Sequence, residues 1–229
     1  MTDVASRTFE VRHLQLARAL LAAMAAVMIT FSADHSAAVG LAVFSGFAIA
    51  TGLVLLLAAW LVYRPGSRAA AVLLGVVCLV AGMVTGIPPL RTTALFFVVV
   101  ITWAAITGVA ELVAGLRARR TGDPTARDAI LIGAVTIALA IGLLLVNPAY
   151  SLEYVIREAG PNGTSYTLTG ITIGVGVFGG YAAIVAVFLG IAGFSPRRAP
   201  GVPVPEAASA VIDPRPAGAA PTPPAGETA

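Results

Sequence analysis

Charged residues are scarce in this chain. Only 11% of its 229 residues are Asp, Glu, Lys or Arg, whereas 58% are hydrophobic. A soluble domain carries roughly 25% charged residues, so this chain has too few charges to cover a water-facing surface. The apolar runs are therefore predicted to be membrane helices and not core helices of a soluble domain.

Lysine is absent, and all fourteen basic residues are arginine. The arginines lie at the ends of the apolar runs and form no single face or stripe, which argues against a nucleic-acid partner.

The chain has one cysteine, Cys78, which lies inside an apolar run. Neither a disulfide nor a cysteine-based metal site can be built from one such residue.

Sequence motifs of catalysis are also missing. The chain contains no HExxH, GxSxG or CxxC pattern, no pair of neighbouring carboxylates in an apolar run, and no phosphate-binding GKS or GKT. We therefore expect a protein that is not an enzyme, with no catalytic residue, no metal, no cofactor and no small-molecule ligand that can be named.

What the chain does have is a series of six apolar runs. Each is close to the length that a helix needs to cross a hydrocarbon core of roughly 30 Å at about 1.5 Å per residue. The predicted fold class is an all-α integral membrane protein with six transmembrane helices, arranged as three tandem helical hairpins. The runs cover residues 14–31, 39–62, 70–87, 94–116, 129–146 and 168–194.

Three further segments complete the predicted organisation. Residues 1–13 form a cytoplasmic N-terminal segment ahead of the 14–194 membrane domain. Residues 195–229 are rich in Pro, Ala and Gly and lack hydrophobic periodicity, so they are predicted to form a disordered cytoplasmic tail. In the long connection before the last run, Ser151 is expected to cap a short surface helix over residues 152–159 that ends at Gly160.

The distribution of arginine predicts the orientation. The N-terminal segment with the first run, the second and fourth connections and the tail together carry twelve arginines, whereas the other three connections carry two, Arg91 and Arg157. Arginine accumulates on the cytoplasmic side of membrane proteins. We expect a multi-pass protein of the cytoplasmic (inner) membrane with both termini in the cytoplasm.

An internal repeat divides the membrane domain into hairpins of about 14–64, 68–120 and 127–194. Thr51-Gly52 aligns with Thr107-Gly108 at an offset of 56 residues, and Gly179-Gly180 takes the same place in the third unit. Gly82 and Pro88 align with Gly142 and Pro148 at an offset of 60 residues. Because every unit begins and ends on the same side, the repeats are expected to be parallel.

A resemblance rests on the second and third units. The hairpin has a first helix that ends in Gly-x5-Pro and a second that reads Trp-x3-Thr-Gly-x2-Glu-Leu-x2-Gly-Leu-Arg-x-Arg. It resembles the short-repeat membrane family called domain of unknown function 308, which includes the HdeD-type acid-resistance proteins. The first unit departs from the pattern, with Ser32 for the Pro and Leu55 for the Glu, and the third has Ala183 for the Glu. The residues that carry the resemblance are Gly82, Pro88, Trp103, Thr107, Gly108, Glu111, Leu112, Gly115, Leu116, Arg117, Arg119, Gly142 and Pro148.

The resemblance implies six helices in the cytoplasmic membrane and, as in some members of that family, a link to survival of acid or envelope stress. It supplies no reaction, ligand or catalytic residue. The expected function is therefore that of a non-enzymatic membrane protein with an undefined biochemical activity.

Glu111 is the candidate functional residue, together with Arg117 and Arg119. Carboxylates inside a bilayer are costly and often mark ion or proton pathways. Glu111 lies within two turns of the predicted cytoplasmic end, so one interpretation is a salt bridge with an arginine of the following loop. The alternative is a small transporter or channel in which Glu111 lines a path. The second, third, fifth and sixth runs contain no other titratable Asp, Glu, His, Lys or Arg, which counts against a proton relay of the usual design.

Seven glycines are predicted to bring helix backbones close together. The lipid bilayer is the expected partner, and glycine faces of this kind would also suit a homo-oligomer. The seven are Gly82, Gly86, Gly108, Gly170, Gly174, Gly176 and Gly180.

Overall fold

The structure is a computed structural model that describes residues 10–62, 68–123, 125–156 and 164–195. Most of the predicted N-terminal segment, and all but the first residue of the predicted tail, lie outside the described residues. Six helices are present: α1 (Val11–Thr30), α2 (Ala37–Leu61), α3 (Ala69–Gly86), α4 (Thr93–Arg120), α5 (Ala126–Leu145) and α6 (Gly170–Phe194). The predicted all-α fold with six helices is confirmed.

Each helix is long and apolar enough to cross a membrane, since each has at least 18 residues and a mean hydropathy of 1.5 or more in its most apolar stretch. Large apolar side chains cover the outside of the bundle, with Leu144 67% exposed and Met83 65% exposed. A soluble monomer does not expose apolar surface on this scale. The chain is therefore a multi-pass integral membrane protein, and its outer surface contacts lipid.

Local sequence explains where the helices begin and end. The hydroxyl oxygens of Ser36, Thr92 and Thr169 accept hydrogen bonds from backbone N–H groups in the first turns of α2, α4 and α6, as expected of N-cap residues. The two prolines after α3 form a short 3-10 turn, Pro88–Leu90. Helix α4 continues to Arg120 and α5 begins at Ala126, so the connection between them is shorter than predicted.

The most extensive helix contacts join α2 with α3, α4 with α5, and α6 with α1. In each pair a glycine brings the helices together: a Cβ added to Gly52 would lie 2.8 Å from the Gly75 carbonyl oxygen, and one on Gly133 would lie 2.5 Å from the Leu112 backbone nitrogen. The predicted hairpins instead join α1 with α2, α3 with α4, and α5 with α6, and these pack less extensively. The tightest packing therefore crosses from one predicted unit into the next.

Aromatic rings from α2, α4 and α6 meet in the interior. The rings of Phe44 and Trp103 make an edge-to-face contact at 5.2 Å between centroids, and those of Phe44 and Phe178 do so at 5.5 Å. Phe47 and Tyr181 extend the same cluster. Such contacts bury large apolar area and add orientation-dependent attraction, so they hold these three helices around a common centre.

The predicted surface helix over residues 152–159 is wrong over residues 152–156, which form a strand, and residues 157–160 lie outside the described part of the chain. Strand β1 (Ser151–Ile156) pairs antiparallel with strand β2 (Thr164–Thr169), and Tyr154 lies opposite Tyr166 with the rings stacked at 5.8 Å. The physical reason is visible in the sequence: large apolar residues alternate with smaller or polar ones, with β-branched and aromatic types enriched. Ser151 and Gly160 had suggested helix termini, but this period-two pattern outweighs them.

A buried ion pair and its cavity as the candidate functional site

Glu111 forms an ion pair with Arg18 inside the helix bundle. The Arg18 Nη2 atom donates to the Glu111 Oε1 atom over 2.6 Å, and the two side chains are 19% and 8% exposed. The pair joins α1 to α4 across 93 residues of sequence. Because both charges are largely removed from solvent, each depends on the other for compensation.

The predicted partners of Glu111 require a correction. One interpretation paired Glu111 with an arginine beyond it, such as Arg117 or Arg119, but both of these lie exposed near the end of α4. Arg18, which lies inside the first predicted run, turns its side chain into the bundle. Arg117 and Arg119 lie in the last turn of α4, beyond Glu111 along the same helix. Arg18 belongs to the neighbouring helix α1 and reaches Glu111 from the side.

Depth along the two helices brings Arg18 and Glu111 together. At about 1.5 Å per residue, Arg18 lies about 10 Å from the first residue of α1, and Glu111 lies about 14 Å from the last residue of α4. Because successive helices run in opposite directions, these two ends face the same side. Two opposite charges at similar depth in different membrane helices were the signal that sequence reasoning missed.

A small cavity adjoins the ion pair at the centre of the bundle. It has room for about one water molecule. All six helices contribute to its wall, which includes both apolar and polar side chains. The wall is formed by Arg18, Phe47, Thr51, Leu55, Leu74, Cys78, Trp103, Thr107, Glu111, Thr136, Tyr181 and Val185.

Hydrogen bonds organise most of the polar groups around this cavity. The Trp103 indole N–H donates to the Cys78 sulfur over 3.3 Å, and the hydroxyls of Thr136 and Tyr181 lie 3.1 Å apart. The Thr107 hydroxyl donates to the Trp103 carbonyl over 2.7 Å. The first two bonds connect α3 with α4 and α5 with α6, so the polar centre links neighbouring helices.

A second polar contact of α1 was also missed from the sequence. The Gln15 side-chain amide donates to Asp128 Oδ2 over 2.8 Å, which joins α1 to the first turn of α5. Gln15 lies three residues before Arg18, so both occupy one face of α1. That face is directed at the polar groups of α4 and α5, and α1 is consequently fixed by polar contacts as well as by packing.

The predicted glycine contacts divide into two groups. A Cβ on Gly82, Gly108 or Gly174 would meet atoms of another helix at 3.0 Å or less, and one on Gly86 would lie 3.1 Å from the Ser45 hydroxyl. A Cβ on Gly170 would meet the backbone of Asn147, in the connection after α5 and not in another helix. A Cβ on Gly176 or Gly180 would meet nothing within 4 Å, so these two make no close helix contact within the described chain. Gly179, next to them, faces Ile29 of α1 instead.

Among the described residues, no three His, Cys, Asp or Glu side chains are grouped so as to hold a metal ion. The side chains around the cavity offer hydrogen bonding and one compensated pair of charges. Comparisons of the chain with family models, with curated proteins and with solved structures found no match. The resemblance to HdeD-type proteins stays a prediction.

Proposed function

We propose that this chain is a non-enzymatic protein of the cytoplasmic membrane, resembling the HdeD type, that contributes to survival of acid or envelope stress. The observation that carries the proposal is the compensated pair of Arg18 and Glu111 beside a cavity no larger than about one water molecule. A substrate site needs a larger concave space, typically about 300–1,000 Å³ for a drug-sized ligand. The pair is better suited to fixing the bundle than to holding a solute.

The proposed role of the ion pair is to fix α1 against α4. In a bilayer, packing must hold helices together without the hydrophobic driving force that operates in water, so interhelical polar contacts contribute to the arrangement. A bundle fixed in this way can keep its helix arrangement under acid or envelope stress, as a single chain or as a subunit of an oligomer. The stress role itself rests on the resemblance of residues 82–120 and 142–148 to the HdeD pattern.

The proposal is tested by acid challenge of a strain that lacks the gene. We expect reduced survival, restored by the unaltered gene and by the exposed control variant Arg117→Gln. Arg18→Met and Glu111→Met should each restore survival poorly, because each leaves one charge uncompensated. The double variant should restore it better than either single change, since an apolar pair can replace a buried ion pair. A deletion with no survival defect would remove the stress role.

A second candidate function is passage of a proton or another small ion, with Glu111 on the path. The observation that favours it is the position of the cavity, which touches all six helices and borders the carboxylate. The purified protein would be reconstituted into liposomes containing a pH-sensitive dye. An inward proton flux that Glu111→Gln abolishes would support this candidate, and a flux equal to that of protein-free liposomes would exclude it for protons.

A further inference from the structure

The hydroxyl of Thr51 in α2 differs from those of the other buried threonines. Thr85, Thr107 and Thr136 each donate to the carbonyl oxygen four residues earlier in their own helix, over 2.9, 2.7 and 2.7 Å. Thr51 is only 4% exposed, yet its hydroxyl oxygen has no hydrogen-bond partner among the described residues. Threonine in a helix normally uses that backbone bond, so an unused hydroxyl in the interior requires an explanation.

Thr51 lines the same cavity as Arg18 and Glu111. The bond between that pair uses one guanidinium nitrogen and one carboxylate oxygen, although a guanidinium has five N–H donors and a carboxylate about four acceptor positions. Hydrogen-bonding capacity therefore remains on both groups beside the cavity. A buried hydroxyl left without a partner destabilises the folded protein, and a ligand in this space would remove that cost.

Size and charge limit what that ligand can be. The space accommodates about one water molecule. The charges of Arg18 and Glu111 compensate each other, so neither a cation nor an anion is required for neutrality. A water molecule has two donors and two acceptors, fits the space and suits a site with both kinds of group around it.

We propose that the cavity binds one ordered water molecule, which links the Thr51 hydroxyl to the ion pair of Arg18 and Glu111. The water would connect α2 to the α1–α4 contact and complete the polar centre. This site is independent of the proposed stress role, because it concerns the interior of the bundle and not its place in the cell.

The first test compares two isosteric changes in the purified full chain in nanodiscs. Thr51→Val removes the hydroxyl that the water would bind, and Thr85→Val removes a buried hydroxyl that already has partners and does not line the cavity. With a bound water, Thr51→Val lowers the unfolding midpoint more than Thr85→Val. In a dry cavity it removes an unsatisfied group, so a raised or unchanged midpoint for Thr51→Val overturns the proposal.

The second test detects the water directly. Brief X-ray radiolysis generates hydroxyl radicals from bound as well as bulk water, and mass spectrometry locates the oxidised side chains. Trp103 and Cys78 line the cavity and are 4% and 3% exposed, whereas Phe96 is fully buried away from it. With each yield scaled to the intrinsic radical reactivity of its side chain, we expect oxidation of Trp103 and Cys78 well above that of Phe96, with a clear loss in Thr51→Leu, which fills the space. Oxidation of Trp103 and Cys78 at the level of Phe96 overturns the proposal, whatever the stability result.

Discussion

Arg18 of α1 and Glu111 of α4 face each other inside the membrane bundle, with 2.6 Å between the donor nitrogen and the acceptor oxygen. Within the part of the chain that the structure describes, this is the one ion pair in which both side chains are largely buried. The pair contacts a cavity to which every helix contributes. Through Arg18, helix α1 makes a buried polar contact in the interior of the bundle, although it is the least apolar of the six helices.

The α4–α5 contact is expected to tolerate no side chain at Gly133. A Cβ there would lie 2.5 Å from the Leu112 backbone nitrogen and 2.9 Å from the Gly108 carbonyl oxygen. Backbone atoms cannot rotate away, so Gly133→Ala must separate the two helices, at a cost of about 1–3 kcal/mol. The measurement is the unfolding free energy in a titration from mild detergent into SDS.

Gly176→Ala is the matched control for that change. A Cβ at Gly176 would meet nothing within 4 Å, and alanine is favoured over glycine within a helix. Its unfolding free energy should equal or exceed that of the unaltered protein. Equal losses for the two variants would show that the close contact at Gly133 is not what limits stability.

The register of the β-hairpin gives a prediction that separates it from a surface helix. In a Cys78→Ala background, cysteines replacing Tyr154 and Tyr166 should form a disulfide on mild oxidation, because these residues lie directly opposite each other. Cysteines at Tyr154 and Thr167 should not, since successive residues of a strand point to opposite faces. Gel mobility without reductant measures both. Efficient bridging of the 154–167 pair alone would refute the register.

Arginine placement predicts the orientation of the helices. Reporter fusions after residues 66, 122 and 200 should all give a cytoplasmic signal, because these positions lie in the two connections and the tail that carry most of the arginines. Alkaline phosphatase, active outside the cytoplasm, and a fluorescent protein, active inside it, provide complementary readouts. A periplasmic signal at any of the three positions would contradict a topology with both termini in the cytoplasm.

Hydropathy and turn chemistry were enough to predict the six helices. A run of apolar residues long enough to cross the bilayer is expected to form a helix. A helix pairs its own backbone groups, and unpaired backbone groups are excluded from the hydrocarbon. The predicted runs begin within a few residues of the caps that the structure shows at Ser36 and Thr92, and the prolines follow the end of α3. These are local properties, so a single sequence can reveal them.

Contacts between distant parts of the chain were not accessible in the same way. The sequence identifies Glu111 as a charge in an apolar helix, and the arginines close to it in sequence were the obvious partners. In the structure its partner is Arg18, which the packing of α1 beside α4 brings close. The choice between Gly179 and Gly180 as the packing residue depends on helix rotation, which a glycine pair in the sequence leaves open. The cavity arises from six helices at once, so no spacing within one of them indicates it.

The most direct test is a double-mutant cycle on Arg18 and Glu111, with the unfolding free energy measured in the same detergent titration. Arg18→Met and Glu111→Met should each cost about 3–5 kcal/mol, because each leaves a buried charge uncompensated. The double variant should cost less than either single change. If the two single costs are small and simply add in the double variant, the ion pair does not hold α1 against α4.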